Sequence, residues 1–221
     1  MIKDLNNVET FLDEAVLFLK KNNINLCEQS DDGRVNSSID EDIVLTKLKR
    51  KFPDQVTIMP PRSWCDFIHK PTGTPINFKS SSLVSSDNSC NFLTILHCFT
   101  DVTILPSRKP NKTKDIKDLF DWIEKNKVEI EKEKLNVKRD YYFLIINKKD
   151  TKDLFYTSIK QLQEISVNPS NLPFQVNWGK NRSKKNRTFK QAFEFCMKAI
   201  KSGIKKQYKN SGYKKAMELL W

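Results

Sequence analysis

Trp64-Cys65-Asp66-Phe67-Ile68-His69-Lys70-Pro71-Thr72-Gly73-Thr74-Pro75-Ile76-Asn77-Phe78-Lys79-Ser80 reads as two strands folded about a tight turn. Trp64–His69 alternates around Asp66, Lys70–Thr74 carries the Pro and Gly of a turn, and Pro75–Ser80 is a second strand. Side chains two apart on a strand share a face, so Asn77 and Lys79 point the same way. Across the hairpin Asp66 joins them. An oxygen ligand suited to a hard cation, an amide and an ammonium thus converge at one end of a sheet. The plainer alternative is a cross-strand ion pair between Asp66 and Lys79.

The flanking chain alternates helix and strand. Residues 4–22 form an amphipathic helix through Val8, Phe11, Leu12, Ala15, Val16, Phe18 and Leu19, and residues 28–38 form a polar loop. Ser38 then caps a second helix with Glu41 as its capping-box partner. Ile43, Val44, Leu45 and Leu48 give that helix its buried face, and Phe52-Pro53 ends it. Gln55–Met59 is a short strand. Downstream, Asn88–Thr100 reads as a buried helix, 106–114 as a loop and 115–135 as a charged helix. Tyr141–Asn147 is a strand, followed by a turn and a partner strand Asp153–Thr157. A short helix covers Ser158–Ile165, Asn168–Pro173 is loop, Phe174–Asn177 is a last strand, and the chain is helical from Thr188 onward. The expectation is a mixed α/β fold, a central mixed β-sheet flanked by helices. The 221 residues suit a single domain, with a core over about 38–165 and a basic C-terminal part over about 171–221.

Charge and composition narrow the classes of function. The net charge is +12, and residues 175–221 carry eleven Lys and two Arg against two Glu, a net +11 that leaves the other 174 residues near neutral. That asymmetry points to a polyanion, or to a solvated lysine-rich surface. The five cysteines, at 27, 65, 90, 98 and 196, contain no Cys-x-x-Cys pair, which favours reduced thiols over a disulfide framework or a zinc site. The two histidines, His69 and His97, are assigned to structure. No run reaches the roughly 18–20 apolar residues of a membrane span, and the first residues lack an apolar signal core, so a cytoplasmic protein with no membrane partner is expected.

The Asp66…Asn77-x-Lys79 arrangement resembles the metal site of the PD-(D/E)xK nucleases, and among them the type II restriction endonucleases. Asp66 matches the first aspartate, Lys79 the lysine, and Asn77 stands where a second acid is usual. Cys65 replaces the usual proline. Glu41 fits the helical glutamate that many members add, or is simply an acid near a helix N-terminus. Lys79-Ser80-Ser81-Ser82…Asp87-Asn88 followed by a helix, and Leu172-Pro173-Phe174-Gln175-Val176-Asn177-Trp178, are similar to segments of such enzymes. The resemblance spans roughly 38–205.

It implies a restriction-endonuclease-like core and Mg²⁺ as cofactor, with no other small molecule. Asp66, the Phe78 backbone carbonyl and Asn77 would hold the ion. Lys79 would hold the attacking water or stabilise developing charge, and Glu41 would join through a water. The substrate implied is double-stranded DNA with a short palindromic site, met by a homodimer. For readout, the polar stretch Gln175, Asn177, Trp178, Lys180, Asn181, Arg182, Lys184, Lys185, Asn186 and Arg187 offers amides for adenine, arginines for guanine and lysines for phosphates. Trp178 serves equally as a core anchor, and Gly179 lets the loop bend. Lys198, Lys201, Lys205, Lys206 and Lys209 extend the charge along the final helix. Competing readings are a DNA-binding protein that no longer cuts, a junction-resolving or repair nuclease, and a basic RNA-associated protein, for which no signature is present.

Overall fold

The computed structural model describes residues 4–22, 24–26, 33–105, 107–132, 134–166, 168 and 174–211, with side chains left out at 33–35 and 207–211. Cys27, residues 28–32 of the loop placed at 28–38, the 169–173 part of the loop before Phe174, and the Leu172-Pro173 pair lie outside these residues, as does the side chain of Lys209. The order of elements is α1 (Val8–Lys21), α2 (Gly33–Lys51), β1 (Val56–Ile58), β2 (Phe67–His69), β3 (Thr74–Ser81), β4 (Ser86–Asn88), α3 (Phe92–Phe99), α4 (Lys112–Lys125), α5 (Lys127–Glu131), β5 (Tyr142–Asn147), β6 (Asp150–Ser158), β7 (Gln175–Asn177) and α6 (Phe189–Ser211). Single 3-10 turns lie at Ile159–Gln161 and Trp178–Asn181.

Five strands make one mixed sheet in the order β1-β2-β3-β5-β6, and β4 pairs with β7 in a separate two-stranded ribbon. β1, β2 and β3 run antiparallel in succession, β3 and β5 are parallel, and β5 and β6 form an antiparallel hairpin. The turn between β2 and β3 places Gly73 at φ +66, a conformation that glycine adopts without a steric cost. Strand alternation divides the core in two. Phe67, Ile76, Phe78, Tyr142, Leu144 and Ile146 face α1 and α2, packing with Phe11, Leu12, Val44 and Leu48. Tyr141, Phe143 and Ile145 face the other way, with Leu93, Leu96 and Phe99 of α3, Trp178, and Ala192, Cys196 and Ile200 of α6. Helices therefore cover both faces of the sheet, as its apolar strands require.

Several boundaries differ from those expected. α2 begins at Gly33, so the capping box placed at Ser38 and Glu41 is not the helix start, and Glu41 lies in mid-helix. The polar residues read as loop are tolerated there because packing of Val44, Leu45 and Leu48 fixes the helix, overriding a local capping signal. Asn88 belongs to β4, and α3 starts after Asn91, whose side chain accepts from the Leu93 N–H at 3.0 Å. Asn111 caps α4, which starts at Lys112, three residues before the helix expected at 115, and Asn126 divides that helix from α5. The helix expected over 158–165 is only the turn Ile159–Gln161.

Candidate active site

β2 begins at Phe67, one residue after Asp66, but the ladder extends back to it: the Asp66 N–H donates to the Ile76 carbonyl (3.1 Å), and Met59 N–H donates to the Asp66 carbonyl (2.9 Å). Asp66 is thereby fixed opposite Asn77. Its carboxylate Oδ2 accepts the Phe78 N–H at 2.7 Å. Within β3, Ile76 and Phe78 turn their N–H and C=O groups to the same side, so the Phe78 carbonyl points past the end of β2, beside the Asp66 carboxylate.

Asn77 bridges the charges. With its Nδ2 toward Asp66 and Oδ1 toward Lys79, the amide donates to both Asp66 oxygens, 2.8 Å to Oδ1, and accepts from Lys79 Nζ at 3.2 Å. Glu41, on α2, is close enough to interact electrostatically with both Asp66 and Lys79. Burial pushes its carboxyl up from 4.5 to about 7, with Asp66 adding to the rise and Lys79 opposing it. Burial also raises Asp66, while Lys79 and the Phe78 N–H pull it back. The structure thus brings together Asp66, Asn77, Lys79, the Phe78 backbone and Glu41. Beneath them the Tyr141 hydroxyl donates to the Trp64 carbonyl at 2.9 Å, anchoring the chain that carries Asp66.

The donor set is oxygen only. Cys65 and Cys90 lie nearby, but burial pushes both thiols up to about 12, so neither offers a thiolate. His69 is engaged elsewhere, with Thr72 (2.8 Å) and the Leu5 carbonyl (2.9 Å), and His97 packs against Trp64. Among the described residues no three His, Cys, Asp or Glu side chains gather as a metal cluster. Two carboxylates, an amide and a carbonyl suit a hard, hydrated divalent cation of modest affinity.

The polar stretch after β7 divides into residues turned inward and residues turned outward. Trp178 is fully buried against Phe143, and Asn181 is fully buried with its amide bonded to Gln163 N, Glu164 N, Glu164 O and Asn177 O. Both are buried and scaffold the loop, which for Trp178 is the core-anchor alternative. Asn177 caps the following turn and donates to the Val84 carbonyl (2.8 Å); Arg187 donates to the carbonyls of Lys160 and Leu162 (3.2 and 2.6 Å). Arg182 forms a two-armed pair with Asp153 and lies over Phe155, Lys180 pairs with Glu164, and Lys184 sits over Tyr156. Gln175 bonds to Asn88, and Lys185 and Asn186 are exposed. Gly179 is required by space, since a Cβ would collide with the Leu83 carbonyl. Sequence reasoning missed Asp153, because a single carboxylate 29 residues from its arginine leaves no local signal.

The chain matches no family model, no curated protein and no solved structure.

Proposed function

We propose that the protein is a Mg²⁺-dependent endonuclease that cuts double-stranded DNA at a short specific sequence, in the manner of the type II restriction enzymes. One observation carries the reading: the side chains of Asp66, Asn77 and Lys79 converge beside β3, with the Asp66 carboxylate accepting the Phe78 N–H and Glu41 within electrostatic reach. A five-stranded mixed sheet flanked by helices is compatible with a restriction-endonuclease-like core. Asp66 and the Phe78 carbonyl would hold the cation, with Asn77 and Glu41 at its rim. When bound, Mg²⁺ offsets the charge of the scissile phosphate and acidifies a water.

The chain's own groups do the remaining work. Lys79 places an ammonium where negative charge grows on the phosphate. Asn77 holds Asp66 and Lys79 at fixed separation, and the Phe78 N–H sets the Asp66 rotamer. Glu41, poised near neutrality, is suited to accept a proton released at the site. The +11 charge of residues 175–221 supplies attraction to DNA, with Gln175, Lys185 and Asn186 the remaining readout candidates. A homodimer would match a palindromic site. Asn77 in place of a second acid favours one other reading, a DNA-binding protein that does not cut.

Asp66→Asn and Lys79→Met test the assignment. Both variants should lose cleavage while still retarding the target DNA in a gel. Near-parental cleavage by either places the chemistry elsewhere.

A further inference from the structure

The ribbon of β4 and β7 stands directly beside the candidate site. Ser89, the residue after β4, brings its carbonyl to 3.4 Å from the Asn77 carboxamide. Cys90, the next residue, lies close enough to Lys79 for its thiol to feel that charge. The register Ser86↔Asn177, Asp87↔Val176, Asn88↔Gln175 assigns the ribbon's two faces. Asp87 and Val176 point one way, and Val176 is fully buried in the core. Ser86, Asn88, Gln175 and Asn177 point the other way. None of these four is charged, although 30% of the chain is. The outward face offers uncharged hydrogen-bonding groups instead.

Two of the side chains are set in place with hydrogen-bonding capacity to spare. Asn88 Oδ1 accepts from Asn168 Nδ2 (2.8 Å) and from Gln175 Nε2 (3.3 Å), which occupies both of its lone pairs. Asn88 Nδ2 is left as a donor and Gln175 Oε1 as an acceptor, and neither has a partner among the described residues. Asn88 is exposed. The backbone beneath is held from both sides. Gln175 pairs with Asn88 across the ribbon and exchanges N–H···O bonds with Ser166 on its other edge, at 3.0 and 2.8 Å. Side chains anchored in this way lose little freedom when a ligand engages them.

A donor beside an acceptor matches the major-groove edge of adenine, where N7 accepts and the N6 amino group donates. The major groove also admits a two-stranded ribbon. We infer that the β4–β7 ribbon enters the major groove next to the scissile phosphate and that Asn88 and Gln175 together read an adenine there. Asn88 Nδ2 donates to N7 and Gln175 Oε1 accepts from the N6 amino group. The inference rests on the nuclease reading and assigns its base readout. The lysines of the basic C-terminal part then supply attraction to phosphates, which carries no sequence information.

The test is gel retardation by the full chain, with Ca²⁺ in place of Mg²⁺ so that the DNA stays intact. The probes are an unrelated duplex and the target duplex mapped from fragment ends, with 7-deazaadenine replacing each adenine of the target in turn. Loss of N7 at one of them should weaken the parent about tenfold or more. Asn88→Ala and Gln175→Leu change only the ribbon's outer face and should melt with the parent. Each should bind the unmodified target about tenfold or more weakly and keep the parental affinity for the unrelated duplex. Asn88→Ala should lose nothing further on the 7-deazaadenine target, because the two changes remove one interaction. A mapped site without adenine, a parent indifferent to 7-deazaadenine at every position, or losses that add overturns the inference and leaves the nuclease reading standing. Equal losses on both duplexes make the two amides structural and overturn it as well. A parent that neither cuts nor retards any duplex overturns the inference together with the nuclease reading.

Discussion

Glu41→Gln removes a charge that the fold keeps at a cost, and the size of that cost can be worked out. The carboxyl is pushed from 4.5 to about 7, first by burial and then by Asp66. At about 1.36 kcal/mol for each pH unit, that interval corresponds to about 3.4 kcal/mol for a fully enclosed group. Glu41 is only half-buried, and solvent screening reduces the figure to about 1–2 kcal/mol. The sign follows from linkage. A folded pKa above the unfolded one means that the native state holds the proton more tightly, so the contribution is present below about pH 4.5 and is lost as pH rises through about 7. Glutamine stays neutral throughout. In metal-free buffer the variant should therefore match the parent near pH 4.5 and melt about 2–8 °C higher at pH 8, at about 2–4 °C per kcal/mol for a chain of this size. Thermal melts at half-unit pH steps read this directly. A constant difference across the range, or a parent that is the more stable at pH 8, would refute the placement of Glu41 beside Asp66 in a poorly solvated site.

Other expectations follow from the scaffold. Trp178→Ala should cost about 3–5 kcal/mol in denaturant unfolding, because the ring is fully buried against Phe143; a loss under 1 kcal/mol would return Trp178 to the surface. Gly179→Ala forces a methyl into the Leu83 carbonyl and should lower the melting temperature despite alanine's smaller backbone entropy cost, and an unchanged or raised melting temperature would deny that close approach. Arg182→Ala and Asp153→Ala should each cost about 1 kcal/mol or less, with the double variant no worse than either, since they share one interaction; additive losses in the cycle would show that they do not.

The hairpin that carries Asp66, Asn77 and Lys79 was readable because alternation and a Pro-x-Gly turn fix both register and facing. β5 was readable as an unbroken apolar run buried on both faces. The start of α2 was not, because Asn36, Ser37 and Ser38 resemble a loop until the packing of the helix is known. The basic stretch after β7 shows the same limit in its side chains. Its composition announces polar groups, but Asn181 and Arg187 spend theirs on backbone carbonyls and amides that are distant in sequence.

Digestion of a sequenced phage DNA by the purified protein, with Mg²⁺ and with chelator, tests the central claim most directly. The account predicts discrete fragments that require the metal and whose ends map to one short sequence. Intact DNA at every Mg²⁺ concentration up to about 10 mM, an excess suited to a weakly held hydrated ion, would contradict it.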